Sequence, residues 1–135
     1  MGKPVCVLIG AGEGLGQSLA RKFAAEGFRL GLISRSEAGS AAALGEARRV
    51  AGDDAGRFFT ADARDPESIE AACRASAKEL GPASVLIYNV RGYYAPKPPL
   101  ELAYDELEIN FREEVVGALA AAKAVVPEMI RSGGG

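Results

Sequence analysis

The sequence predicts an α/β domain on a doubly wound parallel sheet, and three observations predict it. Short aliphatic runs alternate four times with apolar-periodic helical stretches along 135 residues. The runs lack polar alternation, as strands buried on both faces do. The first run leads straight into a glycine cluster, Gly10, Gly12, Gly14 and Gly16, that opens a helical pattern. Strand, glycine turn and helix is the arrangement that aims bare backbone N–H groups at a phosphate.

Val5–Ile9 is the first strand. From Leu15, apolar residues recur at Leu19 and Phe23 with Ala20 and Ala24 beside them, and Gly27 stands where a C-terminal cap belongs. Phe28–Ile33 reads as the second strand. Ser36 can cap a helix to about Val50, weakened in its middle by Gly39 and Gly45. Arg57–Thr60 is a third strand. Asp65-Pro66 then sets an N-cap directly before a proline at the first helical position. Ile69, Ala72, Cys73 and Leu80 share a face of that helix, and Gly81-Pro82 ends it. Ser84–Tyr88 is the fourth strand. Arg91 to Pro99, with Pro96 and Pro98, is a loop of polyproline character. A long helix follows from about Tyr104 to Ile130, with Pro127 disturbing its last turn. Ser132–Gly135 reads as a flexible tail.

Composition narrows the function. Hydrophobic residues make up 48% and charged residues 25%, ordinary values for a chain that buries a core. Sixteen Lys+Arg against eighteen Asp+Glu give a net charge of −2, without a block of like charge. Nucleic acid and anionic membrane surfaces are therefore not expected partners. The apolar stretch from Val115 to Val126 is interrupted by Lys123 and too short to span a bilayer. A first strand near Pro4 leaves no room for a signal peptide. Two cysteines, Cys6 and Cys73, do not make a disulfide framework, which suggests a reduced, cytoplasmic setting. The chain has no histidine, which removes imidazole-based triads and the commonest metal ligand; no metal site is expected.

Glycine spacing discriminates among nucleotide folds. A P-loop needs Gly-Lys-Ser/Thr after four spacers, but Gly10 is followed by Leu15-Gly16-Gln17. The pattern G-x-G-x-x-G fails because Leu15 stands where glycine is required. Gly10-x-x-x-Gly14-x-Gly16 does fit, and it resembles the short-chain dehydrogenase/reductase family, whose members carry G-x-x-x-G-x-G after the first strand. The resemblance implies a Rossmann-type fold with strand order 3-2-1-4, truncated after four strands as a single, C-terminally incomplete domain. It implies that Gly10, Gly12, Glu13, Gly14, Leu15 and Gly16 form the pyrophosphate loop.

Further positions extend it. Ser34-Arg35-Ser36 occupies the place where an acidic residue would grip the ribose 2′-OH of NAD, and Arg35 could instead pair with a 2′-phosphate. That combination implies NADP ahead of NAD. Glu13 departs from it, since NADP-using relatives often place a basic residue there. Asp62-Ala63 matches the family's adenine-contacting pair. Asn89-Val90-Arg91 lies where the family has Asn-Ala-Gly, and Arg91 replaces the glycine although Gly92 follows. Gly117 and Pro127 reproduce the glycine-to-proline spacing of the family's fourth helix, which puts Glu114 at the active-site asparagine position. Asn110 lies one turn upstream on the same face. Either the register slips by a turn or the chain departs from the family's proton relay; the tighter glycine-to-proline spacing favours departure.

In this family a serine on the fifth strand and a helical Tyr-x-x-x-Lys carry the chemistry. Neither element falls within the 135 residues. The string Tyr93 to Lys97 is no substitute, because Pro96 lies inside it and residues four apart share a face only on a helix. Tyr93 and Tyr94 are expected at the mouth of the cofactor or substrate site. The expectation is an NADP-binding portion of an oxidoreductase for carbonyl or alcohol substrates, without turnover of its own. The alternative is a non-catalytic NADP-binding or interaction module. In either case a second copy or partner chain would cover the exposed sheet edge.

Overall fold

The computed structural model describes residues 2–93 and 95–135. Four parallel strands, β1 (Val5–Ile9), β2 (Arg29–Ser34), β3 (Gly56–Thr60) and β4 (Ala83–Tyr88), lie in the order β3-β2-β1-β4. The expected fold and strand order are both present. Helices α1 (Leu15–Ala25), α2 (Glu37–Ala51) and α3 (Pro66–Leu80) connect them. After β4 come a short 3₁₀ turn at Pro99–Glu101, α4 (Tyr104–Phe111), a π-helical segment at Arg112–Val116, and α5 (Gly117–Arg131).

The central strand explains the two-sided architecture. Val5, Val7 and Ile9 point to one face, where they pack with Ile69, Ala72 and Cys73 of α3 and with Ala120, Ala121 and Val125 of α5. Cys6 and Leu8 point to the other, where they meet Ala20 and Ala24 of α1 and Ala43, Leu44 and Ala47 of α2. All five β1 residues are buried, so no polar alternation is possible in this strand. Cys6 and Cys73 are free, buried thiols on opposite faces. Burial pushes their pKa values up to about 12 and about 11, leaving both unreactive as nucleophiles.

Local signals act as their chemistry dictates. Ser36 Oγ accepts from the Gly39 N–H at 3.2 Å, and Asp65 Oδ1 accepts from the Glu67 N–H at 3.1 Å, capping α2 and α3. The expected α1 face packs on the core at Leu19, Ala20, Phe23 and Ala24 and differs only at its first position. Leu15 is 62% exposed, while Gly16, Ala20 and Ala24 are buried. Small residues win because a Cβ on Gly16 would sit 2.9 Å from the Ala11 carbonyl carbon, so the helix approaches the first loop too closely for bulk.

The long C-terminal helix is also not the uninterrupted element expected. Its π-helical segment inserts at Arg112–Val116, and Pro127 is accommodated within α5, which continues to Arg131. A π turn is common where a side chain enters the helical ladder. Here the Tyr88 hydroxyl donates to the Glu113 carbonyl. Beyond β4, residues 91–93 and 95–98 are irregular, and the 3₁₀ turn takes up the end of the expected proline-rich loop.

Candidate functional site

The parallel ladder runs just past the strand ends and fixes three loops at one edge of the sheet. The Gly10 N–H donates to the Ile33 carbonyl at 2.9 Å, the Ala61 N–H to Ser34 at 3.0 Å, and the Asn89 N–H to Ile9 at 2.7 Å. A cleft of about 510 Å³ opens above these loops at the carboxyl ends of the strands. Ligands of open α/β sheets bind in such a crevice.

The first wall is the glycine loop. Gly10 has φ +84°, and a Cβ there would lie 2.3 Å from the Asn89 carbonyl oxygen, so only glycine lets the two loops touch. Asn89 Nδ2 returns a hydrogen bond to the Gly10 carbonyl at 3.3 Å. Gly14 has φ +80° and stands at the N-cap of α1, a position with no capping side chain. Its first turn also holds no acidic residue. By contrast α2 and α3 each have a side-chain cap and a first-turn glutamate, Glu37 and Glu67. The orphan N–H groups and positive dipole end of α1 are thus left for an anion.

The second wall follows β2. Ser34 Oγ donates to the Ser36 carbonyl at 2.7 Å and lies 2.7 Å from Ser40 Oγ, which ties the loop down. The Arg35 carbonyl accepts from Thr60 Oγ1 at 3.1 Å. The Arg35 side chain is exposed at the cleft, with no salt bridge among the described residues. The third wall follows β3. Asp62 Oδ1 accepts from the Arg64 N–H at 2.9 Å, and the Asp62 N–H donates to Ser68 Oγ at 3.0 Å. Asp62 is exposed and lines the cleft beside Ala63.

Of the residues singled out in the sequence, Gly10, Gly12, Glu13, Ser34, Arg35, Ser36, Asp62, Ala63, Asn89, Val90 and Arg91 line this one cleft. Gly14 and Gly16 shape the loop and helix start without lining it, and Leu15 faces solvent. Asn110 and Glu114 lie outside the lining and bond to its rim. Asn110 Nδ2 donates to the Tyr93 carbonyl at 3.1 Å, and Glu114 Oε1 accepts from the Gly92 N–H at 2.8 Å. Tyr93 lines the cleft; Tyr94 lies outside the described residues. Tyr93 and Lys97 stand on irregular backbone, and Lys97 pairs with Glu106 at 2.5 Å.

A fourth wall was not visible in the sequence. Arg64 Nε pairs with Glu113 Oε1 at 2.5 Å, and both line the cleft. Arg112 Nε donates to the Arg64 carbonyl at 2.7 Å, so the π-helical segment is strapped to the loop after β3. Tyr88 lies beneath. Its burial, followed by the nearby charges of Glu113 and Glu114, raises its pKa to about 12, so its hydroxyl keeps the proton it donates to Glu113.

Known proteins are similar to this chain in sequence and in fold. A D-threitol dehydrogenase of Mycolicibacterium smegmatis is 30% identical over 132 residues, 97% of this chain and 49% of its own length. An actinorhodin polyketide ketoreductase solved with NADPH superposes with a TM-score of 0.86 at 28% identity, over 98% of this chain and 52% of that one. Levodione reductase shares the fold with a TM-score of 0.92, at 24% identity, over all of this chain and 52% of its own. The chain therefore spans about half the length of the curated relatives it matches. The short chain dehydrogenase family model matches residues 4–135, a span that includes every strand and helix described above, and the chain belongs to that family.

Proposed function

We propose that the cleft binds NADP, ahead of NAD, and that these residues are the cofactor-binding portion of an oxidoreductase acting on a carbonyl or alcohol. The observation that carries this reading is Arg35. It is an exposed guanidinium at the end of β2, on the cleft wall where a ribose-binding carboxylate would select NAD. The site's own chemistry fits the dinucleotide in three further places. The uncapped α1 N-terminus suits the diphosphate. The exposed carboxylate of Asp62 suits the exocyclic amine of adenine, and Asn89, fixed between β1 and β4, suits the adjoining ribose. When bound, the nicotinamide is the group that donates hydride to a carbonyl or accepts it from an alcohol. The residues named here bind and orient it. Tyr93 and Lys97, on irregular backbone, do not form the acid–base pair.

Titration of residues 1–135 with NADPH and with NADH tests the reading. NADPH should bind more tightly by about tenfold or more, the free energy of a charge-assisted hydrogen bond to the 2′-phosphate. Tighter binding of NADH would overturn the Arg35 assignment.

A further inference from the structure

We propose that Glu114 is a positioning residue for the phosphate end of the cleft: it clamps the loop after β4 so that Arg91 faces the bound diphosphate. The inference rests on the dinucleotide reading and adds to it a residue pair that acts on affinity through the loop.

The geometry is specific. Gly92 is buried between two exposed neighbours, Arg91 and Tyr93, both of which line the cleft. Its N–H has no strand to pair with, and the Glu114 carboxylate satisfies it at 2.8 Å. One turn earlier, Asn110 Nδ2 holds the Tyr93 carbonyl at 3.1 Å. A Cβ on Gly92 would lie 2.4 Å from Asn110 Oδ1 and 2.9 Å from Glu113 Oε2. The loop is thus pressed onto the side chains at the junction of α4 and the π-helical segment. Two residues before Arg91, the Asn89 carbonyl rests against Gly10 of the phosphate loop. The backbone at Arg91 is therefore held on one side by the glycine loop and on the other by Glu114. Its side chain lines the same cleft as the glycine loop, which puts a cation on the wall proposed for the diphosphate. Glu114 is exposed apart from this bond, so removing it costs the partner of one buried N–H and no core packing.

The test uses residues 1–135 as wild type and as Glu114→Ala, Glu114→Gln, Arg91→Ala and the Glu114→Ala/Arg91→Ala pair. Without ligand, Gly92 amide exchange should speed up in Glu114→Ala and stay near wild type in Glu114→Gln, whose carbonyl still accepts the bond. With NADPH, Glu114→Ala and Arg91→Ala should each weaken binding by about tenfold, and the double variant by no more than the larger single loss, as for two groups on one path. Glu114→Gln should bind within about twofold of wild type and keep its unfolding midpoint, while Glu114→Ala should lower the midpoint modestly and remain folded under the titration conditions. Unchanged NADPH affinity in Glu114→Ala, multiplying losses in the double variant, or a lowered midpoint that accounts for the loss would each overturn the proposal. The two readings fail separately. A wild type that protects Gly92 yet binds neither NADPH nor NADH overturns the dinucleotide reading and, with it, this role for Arg91. A wild type that binds NADPH with Gly92 unprotected overturns the clamp alone.

Discussion

Arg35 and Glu13 line the same cleft with opposite charges. Arg35 makes no ion pair among the described residues, so its guanidinium is open to a ligand phosphate. Replacing it should therefore act on the 2′-phosphate alone. We expect Arg35→Ala to weaken NADPH binding by about 1.5–3 kcal/mol and to leave NADH binding nearly unchanged. Fluorescence titration of both nucleotides checks this, and an equal loss for both would mean that Arg35 supports the loop instead. Residues of this kind were legible in the sequence because strand ends place them: Arg35, Asp62 and Asn89 each follow a strand by one or two positions. The Arg64–Glu113 pair, 49 residues apart, has no such local marker. The Glu114 to Gly92 bond is equally unmarked, since only the path of the backbone decides which amide a helix carboxylate meets.

At the scale of elements, the π-helical segment separates what was read as one helix. Its periodicity is nearly that of an α-helix over so short a span, so the sequence carries no distinguishing pattern. The contacts do explain it. Gly117 follows the segment, and a Cβ there would lie 2.1 Å from the Tyr88 hydroxyl oxygen and 3.0 Å from the Ala63 carbonyl oxygen. The helix thus comes down on β4 and on the loop after β3 through a gap only a hydrogen fills. Gly117→Ala sets two effects against each other. Helix propensity alone would favour alanine by about 1 kcal/mol. Overpacking costs about 1–3 kcal/mol and would dislodge the Tyr88 bond to Glu113. Overpacking should win, giving net destabilisation in chemical denaturation. A stabilised variant would show that the approach of α5 to β4 is looser than described. The strands, caps and crossover helices were legible for the opposite reason. Buried runs, Ser36 and Asp65-Pro66 act within a few residues of themselves.

Across the whole molecule, one sheet serves two ends. Its faces are covered by α1 and α2 on one side and by α3 and α5 on the other. Its carboxyl edge gathers loops from residues 10, 35, 62 and 89 into a single cleft. Outside the core, Leu107, Phe111, Val115 and Leu119 recur at four-residue spacing and stay exposed along α4, the π-helical segment and α5. β4 is an edge strand of the sheet. Among the described residues, no helix is long and apolar enough to cross a membrane. If the four sequence-distant loops make one dinucleotide site, backbone amide shift mapping of residues 1–135 on addition of NADPH will show it. Saturable perturbations should concentrate at Gly10–Gly16, Ser34–Ser36, Asp62–Ala63 and Asn89–Arg91 together. Saturable perturbations confined to the α4–α5 stripe, or none at those four loops, would contradict it.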